Sequence, residues 1–168
     1  MDFAAYAPLV RRTVSALALL LLFSVAARAQ SGTLIYVSNF ADDSVSVYST
    51  NADGTLTPVT TLAGMGVGPA GTAVRGDQAF AYVVSNTSQE VRVIDTRTHT
   101  VVQTVAGLNL PLGIAVSPDG TRVYVAEQLF GANTVSVFAA DATTGLTDIF
   151  TLASSPARYQ RGEAAIAV

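Results

Sequence analysis

The chain has 168 residues, a formal net charge of −3 at pH 7 and 50% hydrophobic residues. It contains no cysteine and one histidine, which excludes disulfides and thiolate metal sites and argues against a histidine metal site or a Ser-His-Asp triad. It contains no lysine, and its 12 acidic residues outnumber its nine arginines, so we predict no nucleic-acid partner, because phosphate contacts need clustered Lys and Arg.

The first segment has the form of a secretory signal. Arg11 and Arg12 precede an apolar stretch of fifteen residues from Thr13 to Ala27, and Ala27-Arg28-Ala29 has the small-x-small form that signal peptidase accepts. The stretch is shorter than the roughly 20 residues that a membrane-spanning helix needs. We therefore predict a signal peptide at residues 1–29, no stable membrane span, and a protein exported to the periplasm, the exterior or the cell surface.

The remainder of the chain, residues 30–168, repeats a pattern of short strands. "PAGTAVRGDQAFAYVVSN" (residues 69–86) and "LPLGIAVSPDGTRVYVAE" (residues 110–127) each contain two apolar strands joined by a Gly-Asp or Asp-Gly turn. Tyr82 and Tyr124 are 42 positions apart, and Tyr36 in "LIYVSN" lies 46 positions before Tyr82. A period of about 40 to 45 residues with four strands is that of one propeller blade.

Two further strands follow each Tyr-Val strand. The third strands are "SVSVYST", "EVRVIDT" and "TVSVFAA", and the fourth are "LTPVTTL", "TVVQTVA" and "LTDIFTL". With strands named a to d from the central axis outward, we predict an all-β propeller of four-stranded antiparallel blades with about three blades present. The predicted segments are strands b-c-d of blade one at 33–63, blade two at 69–106, blade three at 111–153 and an isolated a strand at 163–168.

The Tyr-Val strands, "YVSN", "YVVS" and "YVAE", resemble YVTN-type β-propeller repeats. The first copy, with "SVSVYSTNADGTLTPV", is also similar to the lactonase family of seven-bladed propellers, which resemble 6-phosphogluconolactonase. The resemblance implies the propeller fold for nearly all of the chain after residue 33. It implies lactone hydrolysis less specifically, since one fold hosts many activities.

Three blades are fewer than the four to eight of ordinary propellers. Three sheets around one axis would crowd at their inner edges and splay at their outer ones. The sequence therefore favours the first part of a longer, C-terminally truncated protein. The alternative is a ring closed by two chains, a homodimer.

The loops between strands b and c, together with those between d and a, are where we expect side chains that bind a ligand. The candidate residues are Asn39, Asp42, Asp43, Glu90, Glu127 and Phe130. The four carboxylates could form an acidic ring that holds a cation such as Ca²⁺. Asp and Asn in short hairpin loops more commonly cap their own backbone, so we predict turns, with no metal site and no cofactor.

Two functions remain open from the sequence. The favoured one is a non-catalytic scaffold that binds an unknown protein, glycan or small-molecule ligand on the loop face. The alternative is a lactonase-like hydrolase, which needs a base to activate water and a donor for the developing oxyanion. The candidate bases are Glu127 and Glu90, and the candidate donors are Arg75, Arg92 and Arg158.

Overall fold

The computed structural model describes residues 32–129, 132–141 and 145–153, and for residues 129, 132, 133 and 148–153 the backbone alone. These residues form eleven β-strands and one 3₁₀ turn, all within the compact unit Thr33–Val168. Across them, no helix has the length and apolar character to cross a membrane. The predicted signal peptide at 1–29 and the predicted strand at 163–168 lie outside the described residues.

The strands form three antiparallel sheets in chain order. The first sheet contains β1 (Leu34–Asn39), β2 (Ser44–Thr50) and β3 (Leu56–Ala63). The second contains β4 (Pro69–Val74), β5 (Phe80–Ser85), β6 (Glu90–Asp95) and β7 (Thr100–Ala106). The third contains β8 (Pro111–Val116), β9 (Arg122–Leu129), β10 (Ala132–Asp141) and β11 (Gly145–Ala153). The predicted all-β class and the four-stranded antiparallel sheets are confirmed.

The repeat positions recur at the same register in each sheet. Tyr36 pairs with Val47, Tyr82 with Val93 and Tyr124 with Val137. A β-bulge follows the same valine in all three c–d pairs, where it increases the local twist of the sheet. The sequence repeat is therefore a structural repeat.

The Asp-Gly turn that joins β8 to β9 is stabilised by its own side chains. Gly120 adopts a φ of +71°, and the Thr121 amide donates to Asp119 Oδ1 at 2.9 Å. The Ser117 hydroxyl donates to the same oxygen at 2.5 Å. These hydrogen bonds lower the pKa of Asp119 to about 2, because they favour its ionised form, and the hydrogen bond from Ser117 has the largest effect. The predicted turn is confirmed.

The apolar core consists of two layers, one on each face of the second sheet. Side chains alternate along β5, so that Ala81 and Val83 join the cluster shared with the first sheet. Tyr82 and Val84 join the cluster shared with the third sheet, and all four residues are fully buried. The second sheet therefore separates the first from the third.

The equivalent tyrosines Tyr36 and Tyr82 are both buried, but their hydroxyls differ in their hydrogen bonding. Tyr36 Oη lies 3.1 Å from Nδ1 of His99, and burial, with the Asp95 carboxylate second, raises the pKa of Tyr36 to about 12. Burial raises the pKa of the Tyr82 hydroxyl more than the nearby Arg75 lowers it, and no well-formed hydrogen bond joins this hydroxyl to another described residue. His99, the only histidine of the sequence, lies in the β6–β7 turn and is half-buried because this turn packs against the first sheet.

We expect Tyr36→Phe to lower the free energy of unfolding by about 1 kcal/mol, because it removes a hydrogen bond and leaves His99 without this partner. Tyr82→Phe should lower the free energy of unfolding by less than Tyr36→Phe does, because the Tyr82 hydroxyl makes no well-formed hydrogen bond, although Arg75 lies near it. Urea denaturation of the full chain measures both values. Equal losses of unfolding free energy in the two variants would contradict the difference in hydrogen bonding between the Tyr36 and Tyr82 hydroxyls.

Candidate functional site

The turns that connect neighbouring sheets and the b–c turns lie together on one face, which we call the loop face. It comprises residues 40–43, 64–68, 86–89 and 107–110 with the adjoining strand ends. The Met65 amide donates to the Asp43 carbonyl at 3.0 Å, and the Gly107 amide donates to the Gln89 carbonyl at 3.1 Å. Each connection between sheets is therefore bonded to the b–c turn of the preceding sheet.

Asn39 and Asp43 make hydrogen bonds within the scaffold. The Asn39 amide group donates to the hydroxyls of Ser44 and Ser46, at 3.0 and 2.9 Å. Asp43 has a φ of +50° and accepts the Gly68 amide on Oδ1 at 2.8 Å. Both side chains hold loops in place, as expected for residues that cap turns.

Asp42 is exposed in the 3₁₀ turn, and Phe130 lies outside the described residues. In the part of the chain that the structure describes, no group of three or more His, Cys, Asp and Glu side chains is placed to hold a metal ion. The four carboxylates are therefore not assembled there into a cation site.

Glu127, one of the two candidate bases, is 2% exposed at the inner edge of the loop face. Its Oε2 accepts the Asn109 amide at 2.8 Å, and its Oε1 accepts the Ser136 hydroxyl. The equivalent Ser85 donates its hydroxyl to the Met65 carbonyl at 2.6 Å. Both residues tie a b strand to the connection that precedes its sheet, so the geometry gives Glu127 a structural role.

Glu90 and Arg92 form an ion pair on β6. Arg92 Nε lies 2.9 Å from Glu90 Oε1, and the side chains are 23% and 12% exposed, respectively. Arg92 also donates from Nη1 to the Gly64 carbonyl. Gly66 packs directly against the Glu90 side chain, since a Cβ on Gly66 would lie 2.6 Å from Glu90 Oε1. The pair is thus held against the connection between the first two sheets, at the loop face and within reach of solvent.

Arg75 lies at the other end of the second sheet. Glu90 and Pro69 both pair with Ser85 at the loop-face end, whereas Arg75 follows the last residue of β4. Six residues of strand separate the two ends by about 20 Å. Arg75 Nη2 is bonded to Asp77 Oδ2 at 2.9 Å. Arg75 is therefore not a partner for Glu90, and Arg158 lies outside the described residues.

One exposed aromatic was not foreseen. Phe40, in the first b–c turn, is 57% exposed, and Val67 in the adjoining connection is 52% exposed. A Cβ on Gly68 would lie 3.0 Å from the Phe40 ring, so the two turns are in contact. Phe130 is the aromatic residue among the predicted ligand-binding candidates. Phe40 lies in a b–c turn, as Phe130 does in the sequence. The exposure of Phe40 depends on how the connection at residues 64–68 packs against it.

Several solved structures share this fold. Kuenenia stuttgartiensis hydrazine synthase is 27% identical, with a TM-score of 0.64 over 75% of this chain and 34% of that one. The periplasmic gluconolactonase of Pseudomonas aeruginosa is 19% identical, with a TM-score of 0.57 over 74% and 40%. The WD40 repeats of RRP9 are 12% identical, with a TM-score of 0.56 over 71% and 34%. Since WD40 repeats form propellers, the three sheets are propeller blades, as predicted.

The chain thus spans between about a third and two fifths of the length of these structures. No match was found among curated protein sequences. A family model described as SMP-30/Gluconolactonase/LRE-like region matches residues 12–159, which is most of the chain. The chain therefore belongs to the SMP-30/Gluconolactonase/LRE-like family.

Proposed function

We propose that this chain carries three blades of a lactonase-like hydrolase that opens a sugar or other lactone ring. Family membership and the likeness to a gluconolactonase support this function over the non-catalytic scaffold that the sequence alone favoured. The observation that carries the proposal is the ion pair of Glu90 and Arg92 on the loop face. It places a proton acceptor and a cationic hydrogen-bond donor side by side, where solvent reaches both.

The proposed reaction consumes one water molecule for each lactone. The Glu90 carboxylate accepts a proton from water as the water oxygen bonds to the carbonyl carbon of the lactone. Arg92 donates hydrogen bonds to the carbonyl oxygen as it becomes negative. The ring C–O bond then breaks, the ring oxygen takes the proton from Glu90, and the product is a hydroxy acid. Both side chains return to their initial state.

Hydrolysis of gluconolactone by the full chain tests this proposal. Acid release is followed with a pH indicator, and the spontaneous rate is subtracted. We expect a rate that rises in proportion to protein concentration. A rate equal to spontaneous hydrolysis at every concentration, with the protein folded by circular dichroism, would contradict the proposed activity.

We propose further that the protein is exported. The predicted signal at residues 1–29 and the periplasmic location of one structural neighbour support this. Since the family match begins at residue 12, the cleavage point needs direct measurement. We expect periplasmic protein that begins at Gln30 after expression in a Gram-negative bacterium, as determined by intact mass. Ala29→Leu should block cleavage. An uncleaved wild-type chain in the cytoplasm would contradict export.

The exposed apolar pair Phe40 and Val67 favours a second function, the binding of a protein, glycan or small molecule on the same face. The "YVSN", "YVVS" and "YVAE" strands, which resemble YVTN-type repeats, support that function as well. The two functions differ in turnover, because a binding module leaves the lactone ring intact. The hydrolysis assay therefore distinguishes them.

A further inference from the structure

The first two sheets depart from the sequence repeat at three places on the loop face. One repeat position, four residues after the repeat tyrosine, is Phe40 in the first sheet, Asn86 in the second and Gln128 in the third. The last two are structurally equivalent, because their backbone amides donate to the carbonyls of Gly68 and Leu110. In the first sheet an exposed aromatic side chain therefore replaces an amide side chain.

The connection between the first two sheets is one residue longer than the next connection. It comprises residues 64–68, whereas residues 107–110 connect the second sheet to the third. Met65 and Leu108 are equivalent, because each is buried and donates its amide to the preceding b–c turn. The additional residue therefore lies after Met65, in the segment that contains Val67, which is 52% exposed.

Among the three sheets that the structure describes, the second alone carries charged residues at the positions of Glu90 and Arg92. The equivalent residues, identified by their pairing with the b strand, all carry hydroxyls: Ser44 and Ser46 in the first sheet, and Thr134 and Ser136 in the third. Since the other two sheets form with neutral side chains at these positions, the fold does not require the charged pair.

The three departures meet at the longer connection. A Cβ on Gly66 would lie 2.6 Å from Glu90 Oε1. A Cβ on Gly68 would lie 3.0 Å from the Phe40 ring. Two residues of chain span at most about 7 Å, so the ring and the carboxylate contact opposite ends of a short segment, with Val67 between them. An exposed apolar surface therefore adjoins the charged pair.

Val67 is exposed but held in place by hydrogen bonds. Its amide donates to the Ser88 hydroxyl, and its carbonyl accepts the amides of Thr87 and Ser88 at 3.1 and 3.2 Å. The next amide, that of Gly68, donates to Asp43 Oδ1 at 2.8 Å. Because the b–c turns of both sheets hold this segment, it loses little conformational freedom when a ligand binds.

We propose that the lactone opened at Glu90 and Arg92 carries an alkyl substituent, which Phe40 and Val67 bind. This inference rests on the proposed hydrolase, because the charged pair must act on the lactone carbonyl. An alkyl lactone joins a polar carbonyl to an apolar chain, and the surface offers a partner for each part side by side. A sugar lactone carries hydroxyls around its ring, and burial of these against apolar side chains would leave them without hydrogen bonds.

A comparison of two lactones with the same six-membered ring tests this substrate class. δ-Valerolactone has no substituent, and δ-octalactone carries a propyl group on the carbon beside the ring oxygen. We expect the full chain to hydrolyse δ-octalactone with a kcat/KM higher by about 10-fold or more, the usual effect of added methylene groups in an apolar site. Initial rates, followed with a pH indicator and corrected for spontaneous hydrolysis, give both values.

Two variants locate the source of this preference. Phe40→Asn introduces the residue type found at the equivalent position of the second sheet, and Val67→Ser removes the other apolar side chain. Each should abolish most of the preference for δ-octalactone. The matched control is Leu56→Asn, at a site 48% exposed that pairs with Thr50 at the other end of the first sheet, and it should keep the preference. An undiminished preference in both Phe40→Asn and Val67→Ser would overturn the inference.

Failure of this inference and failure of the proposed function give different results. Hydrolysis of both lactones at equal kcat/KM, lost in Glu90→Gln, would overturn the alkyl preference and leave the hydrolase standing. Hydrolysis of neither lactone would contradict the hydrolase, and calorimetry with the two corresponding lactams would then test the apolar contact. Tighter binding of the propyl lactam, lost in Phe40→Asn, would support that contact. Equal binding of the two lactams, or no binding, would overturn it.

Discussion

Glu90→Gln is expected to lower kcat/KM for lactone hydrolysis by about 100-fold or more, because the amide cannot accept the proton of the attacking water. Arg92→Gln should lower kcat by a similar factor, because it removes the charged donor to the developing oxyanion. The loss should fall mainly on kcat, since both groups act on charge that develops in the transition state. Initial rates across a range of gluconolactone concentrations measure both constants.

Arg97→Gln is the matched control for these variants. It also removes an Arg-carboxylate pair from β6 and its turn, since Arg97 lies 3.7 Å from Asp95, but it does so at the end of the sheet away from the loop face. Arg97 is 86% exposed, so the fold should tolerate its loss. Equal loss of activity in all three variants, or full activity in Glu90→Gln, would exclude Glu90 as the base.

The strands were predictable because their signals are local. β2 and β7 occupy the segments predicted for them, and β3 extends one residue further. Alternating β-branched residues and Asp-Gly turns carry this information within a few positions of the chain. The proximity of Glu90 and Arg92 was also predictable from the sequence, since residues two apart on a strand share one face.

The roles of the other site residues depend on packing between sheets. Glu127 is buried because the connection before β8 folds over it and presents the Asn109 amide. Arg75 packs against the β8–β9 turn of the third sheet, where a Cβ on Gly120 would lie 3.3 Å from its Cγ. Neither contact leaves a signal in the repeat, which encodes the blade but not the approach of the next blade.

A single glycine is expected to show how close that approach is. Gly71→Ala should lower the free energy of unfolding by about 1 to 3 kcal/mol, the usual cost of overpacking. An ideal Cβ at Gly71 would lie 2.7 Å from the backbone carbonyl oxygen of Leu112 in β8, and 3.2 Å from Cγ2 of Val84. A backbone oxygen cannot rotate aside as a side chain can, so the second and third sheets would have to separate.

Gly76→Ala provides the control, because a Cβ there meets nothing within 4 Å and its φ lies outside the left-handed region. This variant should be neutral or slightly more stable, since alanine reduces the freedom of the unfolded chain. Urea denaturation of the full chain gives both free energies, with equal m-values as the check that the folded state is unchanged. Equal free energies of unfolding in the two variants would mean that the second and third sheets can accommodate a methyl group at residue 71, despite the 2.7 Å distance from its Cβ to the Leu112 oxygen. A loss confined to Gly71→Ala would instead establish direct backbone contact between neighbouring a strands as the interaction that sets the spacing of the blades.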